Sequence, residues 1–312
     1  MDLYFKPGDW VENRRGGRRG RPLLLRALGF AALLAVGFWI RSLLPAKAVP
    51  AVSGRWPWAT KTMVTLYFSS GPFLFPVSRR MPSDDGLPRA AMQALLDGPR
   101  EGSGLRSPVP QGAEILSFGL ADGVVHVDLS AAVLRGNGDT QPMETAIVET
   151  LTALPGVTGV SVSVEGKPLL RSAHRTPLLY YASANGLVAV PASATNPRNA
   201  LGSYLTGPPD AQLTGLPADV RLLSYNYDAG DSMLSLNFSY TPSLHALALD
   251  KPTRMRTVLL GLIAGLTEFP EVRAVYLDFE GHSRLGLGEC SDLLQTPQAR
   301  PALLNDERLL GS

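Results

Sequence analysis

One string occurs twice in this chain, and it limits the possible folds more than any single motif. Leu151-Thr152-x-x-Pro155-x-Val157-x-x-Val160-x-x-x-x-Glu165-Gly166 returns as Leu266-Thr267-x-x-Pro270-x-Val272-x-x-Val275-x-x-x-x-Glu280-Gly281 with the same internal spacing. Upstream, Leu96-Asp97-Gly98-Pro99 is echoed by Leu205-Thr206-Gly207-Pro208, and Ile115-Leu116-Ser117-Phe118 by Leu222-Leu223-Ser224-Tyr225. Echoes in the same order are the mark of a tandem duplication. The chain of 312 residues therefore carries two like domains of roughly 110 residues, each large enough for its own core.

What precedes the repeats has a different character. Residues 1–26 hold seven lysines and arginines against three acids, so the rest of the chain is slightly acidic. A folded part without basic excess argues against nucleic acid as a partner. Residues 23–44 form a largely apolar stretch, charged only at Arg26 and Arg41, that is long enough to cross a bilayer if both arginines snorkel. The basic segment 1–22 before it predicts a cytoplasmic N-terminus, with the domains outside the cytoplasm. A cleaved signal peptide is the other reading, since Ala46-Lys47-Ala48 fits a small-x-small processing site. Residues 45–61, with Pro45, Pro50, Pro57 and Gly54, read as an extended linker. Cys290 is the only cysteine, which excludes an intrachain disulfide and a cysteine-based zinc site.

Within the first copy, 62–172, the patterns predict strands at 63–68 and 73–77, a helix at 87–96, a hairpin of 114–120 with 124–129 about Asp122-Gly123, a helix at 144–154 and a half-buried strand at 157–165. Pro88 suits a first helical turn. The second copy, 177–281, repeats the order: strands at 178–182 and 187–190, a helix at 197–205, a hairpin of 221–228 with 232–238, a helix within 251–268 and a strand at 272–280. Each copy reads β-β-α-β-β-α-β, an α+β fold with a small sheet and two helices on one face. Residues 172–177 read as a connector, and 282–312 as a polar tail with room for one short helix and no assigned role.

Four strings carry a family resemblance: Leu66-Tyr67-Phe68 with Phe75-Pro76-Val77-Ser78-Arg79-Arg80-Met81-Pro82; Leu95 to Pro99 with Gly104 to Pro110; Gly123 to Ser130; and Leu151 to Gly166. Together they resemble the GerMN-domain family of sporulation and spore-germination proteins. The second copy departs from the pattern, with Asn237-Phe238-Ser239 in place of Asp128-Leu129-Ser130. The resemblance implies a membrane-attached, extracytoplasmic tandem protein without known catalysis, similar to ring-building domains of secretion systems and working with the channel complex between mother cell and forespore. A lipid-bearing cysteine would be expected after the leader, but none lies near residues 40–55, so attachment falls to residues 23–44.

Few residues invite chemistry. His126 and Asp128 share a face of one strand and have the residue types of a proton-transfer or metal-ligating pair. Their counterparts Ser235 and Asn237 lack that chemistry, and the alternation with Val125, Val127 and Leu129 places the pair on the solvent side. Capping or turn formation is the better role for Asp128 and Ser130. Glu165-Gly166 and Glu280-Gly281 mark the point where each final strand leaves its sheet. Arg79, Arg80, Asp128, Glu165 and Glu280 are the candidate partner contacts; no catalytic, cofactor-binding or metal-binding set is expected.

Three functions compete on this reading. One is a non-enzymatic interaction module in an envelope complex, with protein partners and a homo-oligomer or ring as an option. Another is binding of cell-wall glycan or a small ligand, with Tyr67, Tyr180, Tyr181, Tyr225 and Tyr227 as stacking platforms. The third is wall hydrolysis through a carboxylate such as Asp128 or Glu165.

Overall fold

The first β-rich run closes on itself at Ser70-Gly71-Pro72, where Gly71 takes φ 59°. β1 (Lys61–Ser70) and β2 (Phe73–Pro82) pair antiparallel along their whole length. The computed structural model describes residues 60–310 apart from 85, 136–138 and 282–286. The basic segment, the expected membrane helix 23–44 and the linker to residue 59 thus lie outside the described residues. Among the described residues no helix is long and apolar enough to cross a membrane.

Local chemistry sets most of the remaining elements. Helix α1 (Leu87–Asp97) starts at Pro88 and stops at Gly98, whose φ of 84° suits glycine. β3 (Ile115–Ala121) and β4 (Val124–Leu129) meet at Asp122-Gly123, with φ 52° and 78°, the left-handed pair of a two-residue hairpin. A 3-10 turn (Ala131–Leu134) and helix α2 (Gln141–Thr152) carry the chain over to β5 (Gly159–Val164), parallel to β4. The second copy follows with β7 (Leu178–Ala182), β8 (Leu187–Pro191), α3 (Pro197–Leu205), β9 (Leu222–Asp228), β10 (Met233–Phe238), α4 (Pro242–Asp250), α5 (Pro252–Leu266) and β11 (Ala274–Phe279).

The structure corrects the expected single sheet per copy. The N-terminal hairpins of the two copies leave their own domains and join as one sheet, β1-β2-β8-β7, through antiparallel pairing of Leu74 with Ala189. Each copy keeps a second sheet, β3-β4-β5-β6 in the first and β9-β10-β11-β12 in the second. The reason lies in the strands themselves. Leu66, Tyr67 and Phe68 in β1 are consecutive and fully buried, and all of β7 is buried. A strand apolar on both sides needs cover on both sides, which a single small sheet with one helical layer cannot supply. Helix α2 packs on both β1 and β5, and α5 on both β7 and β11, so each helix lies between two sheets. Gly261 brings α5 hard against β7: a Cβ there would collide with the Tyr180 carbonyl and lie 2.9 Å from Leu187.

Two further findings concern the chain beyond each final strand: a strand not expected in the first copy, and a short helix expected in the tail but packed into the core. Glu165-Gly166, at φ 48° and 75°, does not end the sheet but turns the chain back as β6 (Lys167–Ala173), antiparallel to β5. Pro168 is tolerated because β6 is an edge strand. The polar tail is also structured. Leu287, Cys290, Leu293 and Leu294 are buried around the short helix α6 (Ser291–Gln295), and β12 (Gln298–Ala299) pairs with β11 in the place that β6 holds beside β5.

Candidate functional site

The tail then crosses to the first copy, and its polar residues work on the shared sheet. Opposite Leu187, the strand β2 has Pro76, which has no N–H to give. Asn305 fills that gap. Its Nδ2 donates to Pro76 O at 2.7 Å and Leu187 O at 2.9 Å, while its Oδ1 accepts from Leu187 N at 2.8 Å. One buried amide thereby completes the seam between the two copies.

Glu307 comes next along the tail and takes up a predicted contact residue. Arg79 donates to Glu307 in a bidentate pair, at 2.9 and 2.8 Å, donates to Gly98 O at 3.0 Å and lies over the Phe68 ring. The Glu307 carboxylate also accepts from Arg100 N at 2.5 Å. Arg79 is therefore an internal tie between the tail and β2. Arg80 is exposed, and with Arg100 and Arg308 it borders a groove of about 560 Å³ between β2 and the tail.

A buried polar cluster lies where the copies meet. Tyr67 and Tyr180, equivalent residues of β1 and β7, touch hydroxyl to hydroxyl at 3.1 Å. Tyr180 donates to Glu268 at 2.6 Å, and Glu268 also pairs with Arg175 and, at 2.5 Å, with Arg300. Arg175 reaches Glu149 at 3.5 Å, and Thr176 N donates to the same carboxylate at 3.2 Å. Burial pushes the Tyr67 hydroxyl up to about 12, and burial pushes the Glu149 carboxyl up to about 7 although Arg175 beside it pulls the other way. Two acids and two arginines face one another here, and Tyr180, Thr176 N and the Ala264 carbonyl complete their contacts. This cluster ties elements from both copies. Sequence reasoning missed it because Glu149 and Glu268 occupy different positions of their copies, so neither shows as a repeated residue.

The predicted acids of the sheets serve turns. Asp128 Oδ1 accepts from Ser163 Oγ at 2.6 Å and from Gly166 N at 2.9 Å; the Ser163 bond first, then Gly166, holds its carboxyl below the usual range. The second copy does the same work with the acid moved one strand over. Asn237 accepts from Glu280 N at 2.9 Å, and Asp278, in the place of Ser163, accepts from Gly281 N at 3.1 Å. Glu165 and Glu280 are both exposed, and Glu280 accepts from Tyr240 N at 3.0 Å. His126 is exposed beside Asp128, in a shallow groove of about 250 Å³ with Ser117, Ser161 and Arg171. Among the described residues no group of three or more His, Cys, Asp or Glu is placed to hold a metal ion. Of the five tyrosines weighed as sugar platforms, Tyr67, Tyr180 and Tyr181 are buried, which removes them from that role.

Two fused α+β copies with turn-pinning acids and a polar seam define a tandem-module protein, and comparison places it. The Germane family model, described as sporulation and spore germination, matches residues 65–170 and 178–284. The chain belongs to this family, that of the GerMN domains. Among solved structures it is similar to the tandem GerMN domains of the sporulation protein GerM from Bacillus subtilis, at 18% identity and TM-score 0.58, over 79% of this chain and 99% of that one. The first GerMN domain of the same protein, taken alone, matches at 17% identity and TM-score 0.31, over 37% of this chain and 94% of that one. No curated protein matches.

Proposed function

We propose that this chain is a membrane-anchored, extracytoplasmic assembly protein of the sporulation or germination machinery, working without turnover in an envelope-spanning complex. The observation that carries the reading is the way the ionisable side chains are used. The buried ones are consumed in joining the two copies, and Asp128 and Asp278 hold turns. What the molecule offers to the outside is a stiff doubled body. A doubled body raises the effective concentration of its second contact once the first is made, which suits assembly. The apolar stretch 23–44 and the arginines before it support an anchor with both domains outside.

Fractionation of sporulating cells with affinity-tagged full-length protein tests this reading. The expected result is membrane-bound protein that resists salt extraction and co-isolates with components of an envelope channel. Protein found in the cytoplasm, or membrane-bound protein that stays a lone species throughout sporulation, would contradict it.

A further inference from the structure

The outward edges of the two copies share a feature that the seam lacks. β3 and β9 are equivalent strands, and each is the edge of its sheet. In each, the pairing skips one residue at the same place. Ile115 pairs with Leu129 and Ser117 with Asp128, leaving Leu116 as the extra residue of a bulge. Leu222 pairs with Phe238 and Ser224 with Asn237, leaving Leu223 likewise. Bulges re-aim side chains, and both leucines are half exposed, 52% and 50%. Two residues on, each strand has an aromatic ring under an arginine: Arg89 lies 5.9 Å from the Phe118 ring and Arg198 5.1 Å from the Tyr225 ring. Leu120 and Tyr227, also equivalent, are exposed too.

Edge strands invite pairing, and proteins that must stay apart protect them with lysine, proline or inward charge. β3 has no charged residue or proline, and β9 has only its terminal Asp228. The bulges here turn apolar side chains outward and so do not serve as that protection.

We propose that β3 of one copy of this chain pairs with β9 of the next, in parallel and in register, to give head-to-tail assembly. Charge selects this arrangement. The residue before each strand is Glu114 in the first copy and Arg221 in the second. Parallel in-register pairing sets Glu114 opposite Arg221, Leu116 beside Leu223 and Phe118 beside Tyr225. Antiparallel pairing of the same strands sets Glu114 against Asp228. Antiparallel pairing of β3 with another β3 sets Glu114 against Asp122, and β9 with β9 leaves β3 uncovered. A protomer with two different mating edges builds a ring if the rotation closes and a filament if it does not. This inference deepens the assembly reading and rests on it.

Engineered-cysteine cross-linking of residues 58–312, which form one compact unit with its own core, tests the pairing. Adjacent strands lie about 4.8 Å apart, within disulfide reach. Cys290 is buried, with its thiol pushed up to about 11 by burial, and does not compete. Ser117→Cys mixed with Ser224→Cys is expected to give a disulfide dimer on mild oxidation, and neither variant alone is. Glu114→Arg or Arg221→Glu alone is expected to abolish the cross-link, and the two reversals together to restore it. Dimers of either single variant alone, a cross-link indifferent to charge reversal, or no cross-link at the highest attainable concentration would each overturn the pairing. If that happens while the full-length protein still co-isolates with an envelope complex, self-pairing fails and the assembly reading stands.

Discussion

The seam between the two copies and their outward edges have diverged in opposite ways. At the seam, Tyr67 and Tyr180 remain alike and touch, but the polar residues around them differ. Glu149 stands where the second copy has Ala264, Glu268 where the first has Ala153, and Thr150, which accepts from Tyr67 N at 3.2 Å, where the second has Gly265. At the edges, Leu116 with Leu223, Phe118 with Tyr225, and Arg89 with Arg198 keep their roles and their exposure. Two like surfaces pressed together about a pseudo-two-fold axis would bury like charges against each other, so one half must acquire the acid that the other lacks. Surfaces that do not touch inside the molecule are under no such demand. Their likeness needs another cause, and an external strand is the one argued above.

The largest test of this contrast removes one seam acid. Glu268→Ala removes the buried carboxylate that the part-buried Arg175 and Arg300 share with Tyr180, and the expected loss is about 3–5 kcal/mol in urea unfolding. A loss under about 0.5 kcal/mol, the size of an ordinary surface change, would mean that the cluster does not hold the copies together.

Acidity tests the same seam from the other side. The folded state holds the Glu149 proton to about pH 7, against an ordinary value of 4.5. Below about 4.5 both folded and unfolded chains are protonated and the penalty of the buried charge is absent. Between 4.5 and 7 the unfolded chain gives up its proton first, so stability falls as pH rises, then levels above 7. At about 1.4 kcal/mol per unit the fall is at most about 3 kcal/mol. Glu149→Gln is expected to flatten unfolding free energy over that window, and a slope unchanged by the substitution would contradict the assignment.

Asn305→Ala strips three hydrogen bonds from the sheet seam and should cost about 1–3 kcal/mol. Loss of amide protection concentrated at Leu187 and its neighbours would locate the damage there. The smallest effect belongs to the edges. Leu116→Asp with Leu223→Asp is expected to change stability by no more than about 0.5 kcal/mol, because both side chains are already half in water. A large loss would show that the bulged leucines are packing residues, and it would remove their outward role.

Much of the local structure is legible in the sequence, and the reasons are local. Pro88, Pro197 and Pro252 lie in first helical turns, Asp122-Gly123 closes a hairpin, and the repeated string runs from α2 to β5 and from α5 to β11. The family, too, was readable from four short strings. What escaped depends on contacts between distant residues. Nothing near Leu74 announces Ala189 as its partner, and nothing near Asn305 announces Pro76 and Leu187. The strand β6 had a signal that was misread: Glu165-Gly166 is a two-residue turn, and such a turn implies a returning strand. Among the candidate contacts, Arg79 looked like surface charge because its partner Glu307 lies at the far end of the chain. The tail looked inert because its buried residues are few and separated by polar ones.

The central claim is that two copies became one body by diverging where they meet. Native-state hydrogen exchange of residues 58–312 across a urea series measures it most directly. The account predicts that the slowest amides of β4–β5 and of β10–β11 report one common unfolding free energy, and that Glu268→Ala splits it into two. Separate free energies for the two copies in the unmodified protein would contradict it.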